Sequence, residues 1–210
     1  MHPESPVRFT VAQLEVQMRH LTMIAAALLA LSGGVRAQGG AAPAPLPLEP
    51  GASQADVDKA LLAAPANLRA QAMVVKWKPD FTYDTLRRGG NRLVCYDRSG
   101  QPAQQPFSIE CTSAGNLERV AQNMRFEAMG DKRQAALEAS EKDGSRVKPE
   151  YGSVFYNLAG SDQERARAHM TVAIPGATTQ STGLPDNGKM GGAWIMNAGT
   201  STAHIMVPGH

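Results

Sequence analysis

His204 and Met206 stand two positions apart in the closing run Thr202-Ala203-His204-Ile205-Met206-Val207, and His169 lies in an earlier run, Ala168 to Ile174, of similar apolar character. If both runs are strands, residues two apart share a face, so His204 and Met206 project together and His169 can join them as a third candidate ligand. Imidazole and thioether form a donor set suited to copper, and Met170, Met190 and Met196 are close in sequence. The plainer reading is that the methionines fill irregular gaps in a core and that His204 is hydrogen-bonded between packed strands. Spacing alone does not make ligands converge, so no metal and no obligatory cofactor is assigned.

A serine hydrolase needs a nucleophile, a base and an orienting carboxylate held together. Ser161 or Ser201, His204 and Asp162 supply those residue types, but no spacing compels them to meet. Gly160-Ser161-Asp162 reads instead as a turn in which the carboxylate bonds local backbone N–H groups. The sequence has no Gly-x-Ser-x-Gly elbow, no His-Glu-x-x-His, no phosphate loop and no dinucleotide fingerprint.

Arg87, Arg88 and Arg92 bracket Gly89-Gly90-Asn91, with Tyr83 and Tyr96 on the flanking runs. Guanidinium forks suit phosphate and carboxylate, so this cluster is a candidate contact for an anionic glycan or a lipid headgroup. The competing reading is an edge hairpin whose cations prevent strand-to-strand aggregation. Glu138, Glu141 and Lys142 read as the solvated face of a helix.

These residues must be positioned by elements that the pattern also predicts. Ser53 is placed to cap a short helix carrying Val57, Ala60, Leu61 and Ala64 at helical spacing, interrupted at Pro65. Ala72–Lys78 reads as a strand, and Phe81–Arg88 and Arg92–Asp97 as a hairpin turning at Gly89-Gly90-Asn91. Phe107–Cys111 is a further strand. Leu117, Val120, Ala121, Met124 and Ala128 mark an amphipathic helix ending near Gly130, and a more polar helix follows from Lys132 to Lys142. Runs at Ser153–Leu158, Ala168–Ile174, Ala193–Asn197 and Thr202–Val207 are strands separated by Pro- and Gly-containing loops. The expected class is α+β: a mainly antiparallel sheet with two or three helices packed on one face.

Compartment is read from Met18 to Ala37. Arg19 and His20 precede an apolar run, Leu21–Leu31, and Val35-Arg36-Ala37 is a small-x-small site before Gln38, the pattern of a secretory signal peptide cleaved between Ala37 and Gln38. That run is too short to span a bilayer, which needs about 20 apolar residues. Met1–Gln17 is expected to be an upstream extension with the true start at Met18, and Gln38–Ala52 a flexible Pro/Ala-rich lead into a single domain over residues 53–210. Removing 37 of the 210 residues leaves 173, and takes away Arg8, Arg19, Arg36, Glu4 and Glu15, so that the formal net charge falls from +2 to +1. Such a balance gives no electrostatic reason to expect nucleic acid as a partner. Cys95 and Cys111 are the only cysteines, and an even count in an exported chain favours a disulfide.

Several blocks recur in a recognisable order: Thr85-Leu86-Arg87-Arg88-Gly89-Gly90-Asn91 before Cys95, then Cys111, then Tyr156-Asn157-Leu158-Ala159-Gly160-Ser161-Asp162, and finally Ala203-His204-Ile205-Met206-Val207-Pro208. Over most of Ala60 to Pro208 the chain thereby resembles a group of bacterial secreted proteins of unknown function. In that group the closing block carries Thr-Pro-Tyr before Ala-His, where this chain has Thr200-Ser201-Thr202. The resemblance implies export and a shared fold, and it transfers no catalytic residue. The sequence therefore points to an exported domain, periplasmic or secreted, with a binding or structural role; the alternative is an exported hydrolase or copper-binding protein using His204.

Overall fold

Leu93, Val94, Cys95 and Tyr96 are four consecutive buried residues of strand β3, Leu93–Asp97. A strand with no polar face must be covered on both sides. In the computed structural model, which describes residues 43–207, Leu93 and Cys95 pack with Val57, Ala60 and Leu61. Val94 and Tyr96 pack oppositely, with Leu117, Val120 and Met124. Helices therefore cover two faces, not the one expected. The unbroken apolar run of β3 is the sign of the second layer.

The fold is α+β, built on an eight-stranded sheet of order β2-β1-β3-β4-β5-β6-β8-β7. Its strands are β1 Met73–Trp77, β2 Tyr83–Arg87, β3, β4 Phe107–Ser113, β5 Val154–Gly160, β6 Arg167–Ala173, β7 Trp194–Met196 and β8 His204–Met206. Among the described residues every neighbouring pair is antiparallel except β1 and β3. Cys95 lies directly opposite Cys111 across β3 and β4 and is disulfide-bonded to it. The bridge thus fastens a hairpin whose connection is already hydrogen-bonded, from Arg98 N to Ser108 O at 2.8 Å.

The predicted hairpin of Phe81–Arg88 with Arg92–Asp97 does not form. β2 pairs with β1 through a turn at Lys78–Thr82, and β1 separates β2 from β3. Gly89-Gly90-Asn91 instead carries the chain across the start of β1. The N–H groups of Gly90 and Asn91 both donate to Gln71 O, at 2.8 and 3.1 Å. A Cβ on Gly89 would lie 2.9 Å from Met73 N. Gly89 is there for close backbone approach, not for a tight hairpin turn.

Helix α1, Gln54–Ala60, starts where expected: Ser53 Oγ accepts from Asp56 N at 3.3 Å, and Val57 and Ala60 are buried. A short helical segment α2, Ala66–Arg69, follows Pro65. On the other face α3, Leu117–Glu127, buries Leu117, Val120, Ala121 and Met124 of the predicted stripe, while Ala128, just past its end, is exposed, and α4, Arg133–Asp143, ends at Gly144 with φ 76°. A third, smaller core of Ile174, Ile195 and Ala203 lies under Ala177 and Leu184, which flank α5, Thr179–Thr182. The described part of the lead is extended and hydrogen-bonded to the domain: Leu46 N donates to Ala70 O, Glu49 N donates to Leu86 O, and Leu48 bridges to Arg87. It covers part of the β2 edge, which would otherwise invite pairing with another chain. The expected signal segment, the upstream extension and the first residues of the lead lie outside the described residues. Among the described residues no helix is long and apolar enough to cross a membrane.

Candidate functional site

The three arginines proposed as an anion contact are each engaged separately within the protein. Arg87 is 3 % exposed and donates from Nε and a terminal nitrogen to Ala72 O, at 3.1 and 2.8 Å, and from that same terminal nitrogen to Arg69 O at 2.5 Å. It fastens the carbonyls behind α2 to the sheet edge. Arg88 pairs with Glu49 at 2.6 Å and Arg92 with Glu150 at 3.0 Å, both at the surface. Tyr96 is fully buried, and Tyr83 packs edge-on against Trp77, ring centroids 5.3 Å apart.

His204, Met206 and His169 share one face of the sheet, as alternation requires, but they do not converge. Met206 faces Thr171 and His204 faces Ala173, so His169 lies four positions along β6 from the partner of His204. At about 3.4 Å per residue that is roughly 14 Å. The hydrolase constellation is also parted. Ser161 follows β5 beside the start of β6, whereas His204 pairs with the last residue of β6, about 20 Å away along the strand. Ser161 donates to Asp162 at 3.0 Å and Asp162 accepts from Arg165 N at 2.9 Å, the turn geometry expected of that block. Among the described residues no three His, Cys, Asp or Glu side chains gather as a metal site.

The side chains that do gather come from α3, α4, the loop after α4 and the loop before β8. Arg119 on α3 is 3 % exposed and Arg146, beyond the end of α4, is 6 % exposed. Arg119 donates to Val147 O and, at 3.3 Å, to Ser201 Oγ. Arg146 is held by neutral acceptors, Gln122 Oε1 at 2.6 Å and Asn123 Oδ1 at 2.5 Å, and its guanidinium lies 5.1 Å from the Phe126 ring centroid. The Arg146 Nε finds no hydrogen-bond partner among the described residues. Glu141 on α4, read from sequence as a solvated helix face, reaches across to the loop: it accepts from Ser201 Oγ, and from Ser201 N at 3.2 Å.

Two buried guanidiniums thus share Glu141 as a facing carboxylate, with Arg133 and Glu127 acting in opposite senses on Arg146. Burial pushes Arg119 down to about 10, the charge of Arg146 adds to this, and Glu141 opposes both. Burial lowers Arg146 as well, against the pull of Glu141. Arg146 borders a cavity of about 770 Å³ between α3, α4 and residues Asn197–Thr202, whose wall also holds Phe126 and Leu137 and the charged Arg133, Lys142, Glu138 and Glu141. A second cavity, of about 290 Å³, shares Glu141, Arg146, Gly199 and Thr200 with it. This arrangement can hold an oxyanion: the fixed Arg146 guanidinium, hydroxyls of Thr200 and Thr202 on the rim, and an apolar wall beside them.

Sequence reasoning did not find this site. Its members are up to 82 positions apart, and an arginine beside an apolar helical stripe gives no local sign of burial. Compared with protein-family models, with curated protein sequences and with solved structures, the chain finds no match.

Proposed function

We propose that the chain is an exported binding domain whose groove between α4 and the Asn197–Thr202 loop receives a small molecule bearing a carboxylate or phosphate group. One observation carries this reading: Arg146, in the groove wall, is buried, immobilised by neutral acceptors and left with an unpartnered Nε, and the buried Arg119 behind it shares with it the facing carboxylate of Glu141, which is itself engaged by Ser201. A buried charge without full compensation is costly, and an anionic ligand would relieve it. Glu141 occupies part of the place such a ligand would take. Export is supported by the Met18–Ala37 segment, by the resemblance to secreted proteins and by the Cys95–Cys111 bridge, a bond typical of oxidising compartments. Ser161 and Asp162 lie far from His204, and Ser201 donates to Glu141, so the hydrolase reading gains no support.

Thermal unfolding of the purified protein with phosphate, citrate and glucuronate, against sodium chloride at matched ionic strength, tests the groove. A ligand that binds only the folded state raises the melting temperature with concentration. Arg146→Gln should abolish the response, and Glu141→Gln should strengthen it several-fold by removing the competing carboxylate. If none of the three anions stabilises the wild type beyond the salt control, or Arg146→Gln leaves the response intact, the groove is not an anion site. Cell fractionation with intact-mass measurement tests export, the expected product beginning at Gln38.

A further inference from the structure

Strands β7 and β8 place a second set of donors together, on residues other than those of the oxyanion groove. Met196 lies directly opposite His204, and Trp194 directly opposite Met206. Directly opposed residues of an antiparallel pair have Cβ atoms about 4.5–5.5 Å apart on one face, and His204 and Met206, two positions apart, share that face. One imidazole and two long, flexible thioethers therefore arise from a single patch, with an indole beside them. His169, too far along β6, is replaced by Met196.

His204 is also oriented for ligation. Its Nδ1 lies 2.7 Å from Thr202 O. A carbonyl oxygen only accepts, so Nδ1 carries the proton of the neutral ring and Nε2 keeps its lone pair. A ring nitrogen tied to a backbone carbonyl while the other is free is the usual arrangement of a metal-binding histidine. The patch is open to solvent: Met196 is 39 % exposed, and His204, Met206 and Trp194 are half-buried. Ile195 and Ile205 point to the opposite face, where Ile195 is 1 % exposed in the small core. The two methionines are therefore not needed to fill that core.

We propose that Met196, His204 and Met206 form a site for a soft monovalent metal ion, Cu(I) or its analogue Ag(I). Thioether and imidazole donors select soft ions. The cleft that His204 lines holds Arg119 and no carboxylate. A nearby guanidinium and the lack of an anionic ligand disfavour a divalent ion such as Zn²⁺ more strongly than a monovalent one.

The experiment is titration of the purified protein with Ag(I), and with Cu(I) under ascorbate in competition with a chromogenic Cu(I) chelator, following Trp194 fluorescence and the methionine methyl resonances. One equivalent is expected to bind, shifting the Met196 and Met206 methyl signals together. Met196→Leu and Met206→Leu conserve volume and should fold normally, yet each should weaken binding at least tenfold, as should His204→Ala. His169→Ala and Met129→Leu should leave it unchanged. Undiminished Ag(I) binding by the Met196→Leu/Met206→Leu double variant would overturn the site, as would Zn²⁺ binding as tightly as Cu(I). The oxyanion response of that double variant should match the wild type, which separates this site from the groove.

Discussion

Arg98 is 3 % exposed and lies between two carboxylates, Glu127 Oε2 at 2.5 Å and Glu110 Oε1 at 3.8 Å. Glu127 is shared with Arg133 at 3.7 Å, and the buried Tyr96 hydroxyl faces Glu110 from within β3. Burial opposes the charge on Arg98, but the two carboxylates more than offset it and hold its pKa above the usual value. Arg98→Met would strand both carboxylates and should cost about 3–5 kcal/mol, the range for breaking a buried ion pair from one side. Glu110 behaves oppositely. Burial raises its carboxyl pKa, Glu127 adds to the rise, and Arg98 only partly counters it. A carboxyl with a raised folded-state pKa contributes most below its unfolded value, and that contribution is lost as pH climbs through the folded value. Glu110→Gln should therefore raise the urea midpoint at pH 7.5, with a gain that shrinks toward pH 4. Parallel midpoint curves for variant and wild type across that range would show that Glu110 carries no such penalty.

The crossing from β2 to β3 is where local signals and the folded chain part. Strand positions were legible, because Met73–Trp77, Leu93–Asp97 and Phe107–Ser113 are rich in β-branched and aromatic residues. Their pairing was not. Gly89-Gly90-Asn91 looks the same whether the chain reverses there or passes over a third strand, and contacts with Gln71 and Met73 decide between them. The two glycines should differ under substitution. A Cβ at Gly89 meets backbone, Met73 N at 2.9 Å, whereas at Gly90 it meets the far end of a side chain, Gln71 Oε1 at 2.3 Å. Gly89→Ala should cost about 1–3 kcal/mol, as overpacking does, and Gly90→Ala clearly less, since Gln71 can swing aside; equal losses in urea unfolding would contradict the crossing. The β3–β4 staple is the converse case, legible because two cysteines allow one pairing. Its 16-residue separation implies about 3 kcal/mol of stabilisation in the chain-entropy model, measurable as the difference between the oxidised protein and a Cys95→Ala/Cys111→Ala variant. The groove stayed hidden because Arg119, Glu141, Arg146 and Ser201 meet only after three separate segments have packed.

At the scale of the whole molecule, the two ends of the sheet are unequally secured. β1 and β3 carry helices on both faces and, with Cys111 of β4, hold two buried clusters, one of which includes the disulfide. β7 and β8 have three residues each and rest on Ile174, Ile195 and Ala203. Opening free energies follow buried contact, so the β7–β8 end should open without global unfolding. The amides that report this are Ile174, which donates to Ala203 O at 2.9 Å, and Ile195, which donates to Pro185 O at 2.8 Å. Both should exchange through a local opening on the order of 2 kcal/mol or more below the free energy for the amides of β3. Both candidate sites adjoin this end, the metal patch on β7 and β8 and the groove on the loop between them. A ligand that binds only the closed form multiplies protection by its binding factor. Ag(I) on Met196 and His204, which ties β7 to β8, should therefore slow exchange at Ile195 strongly, and an oxyanion in the groove should do so less. Uniform exchange across β3 and β7 without ligand would mean one cooperative unit, and neither site would then lie on a more readily opened part of the fold.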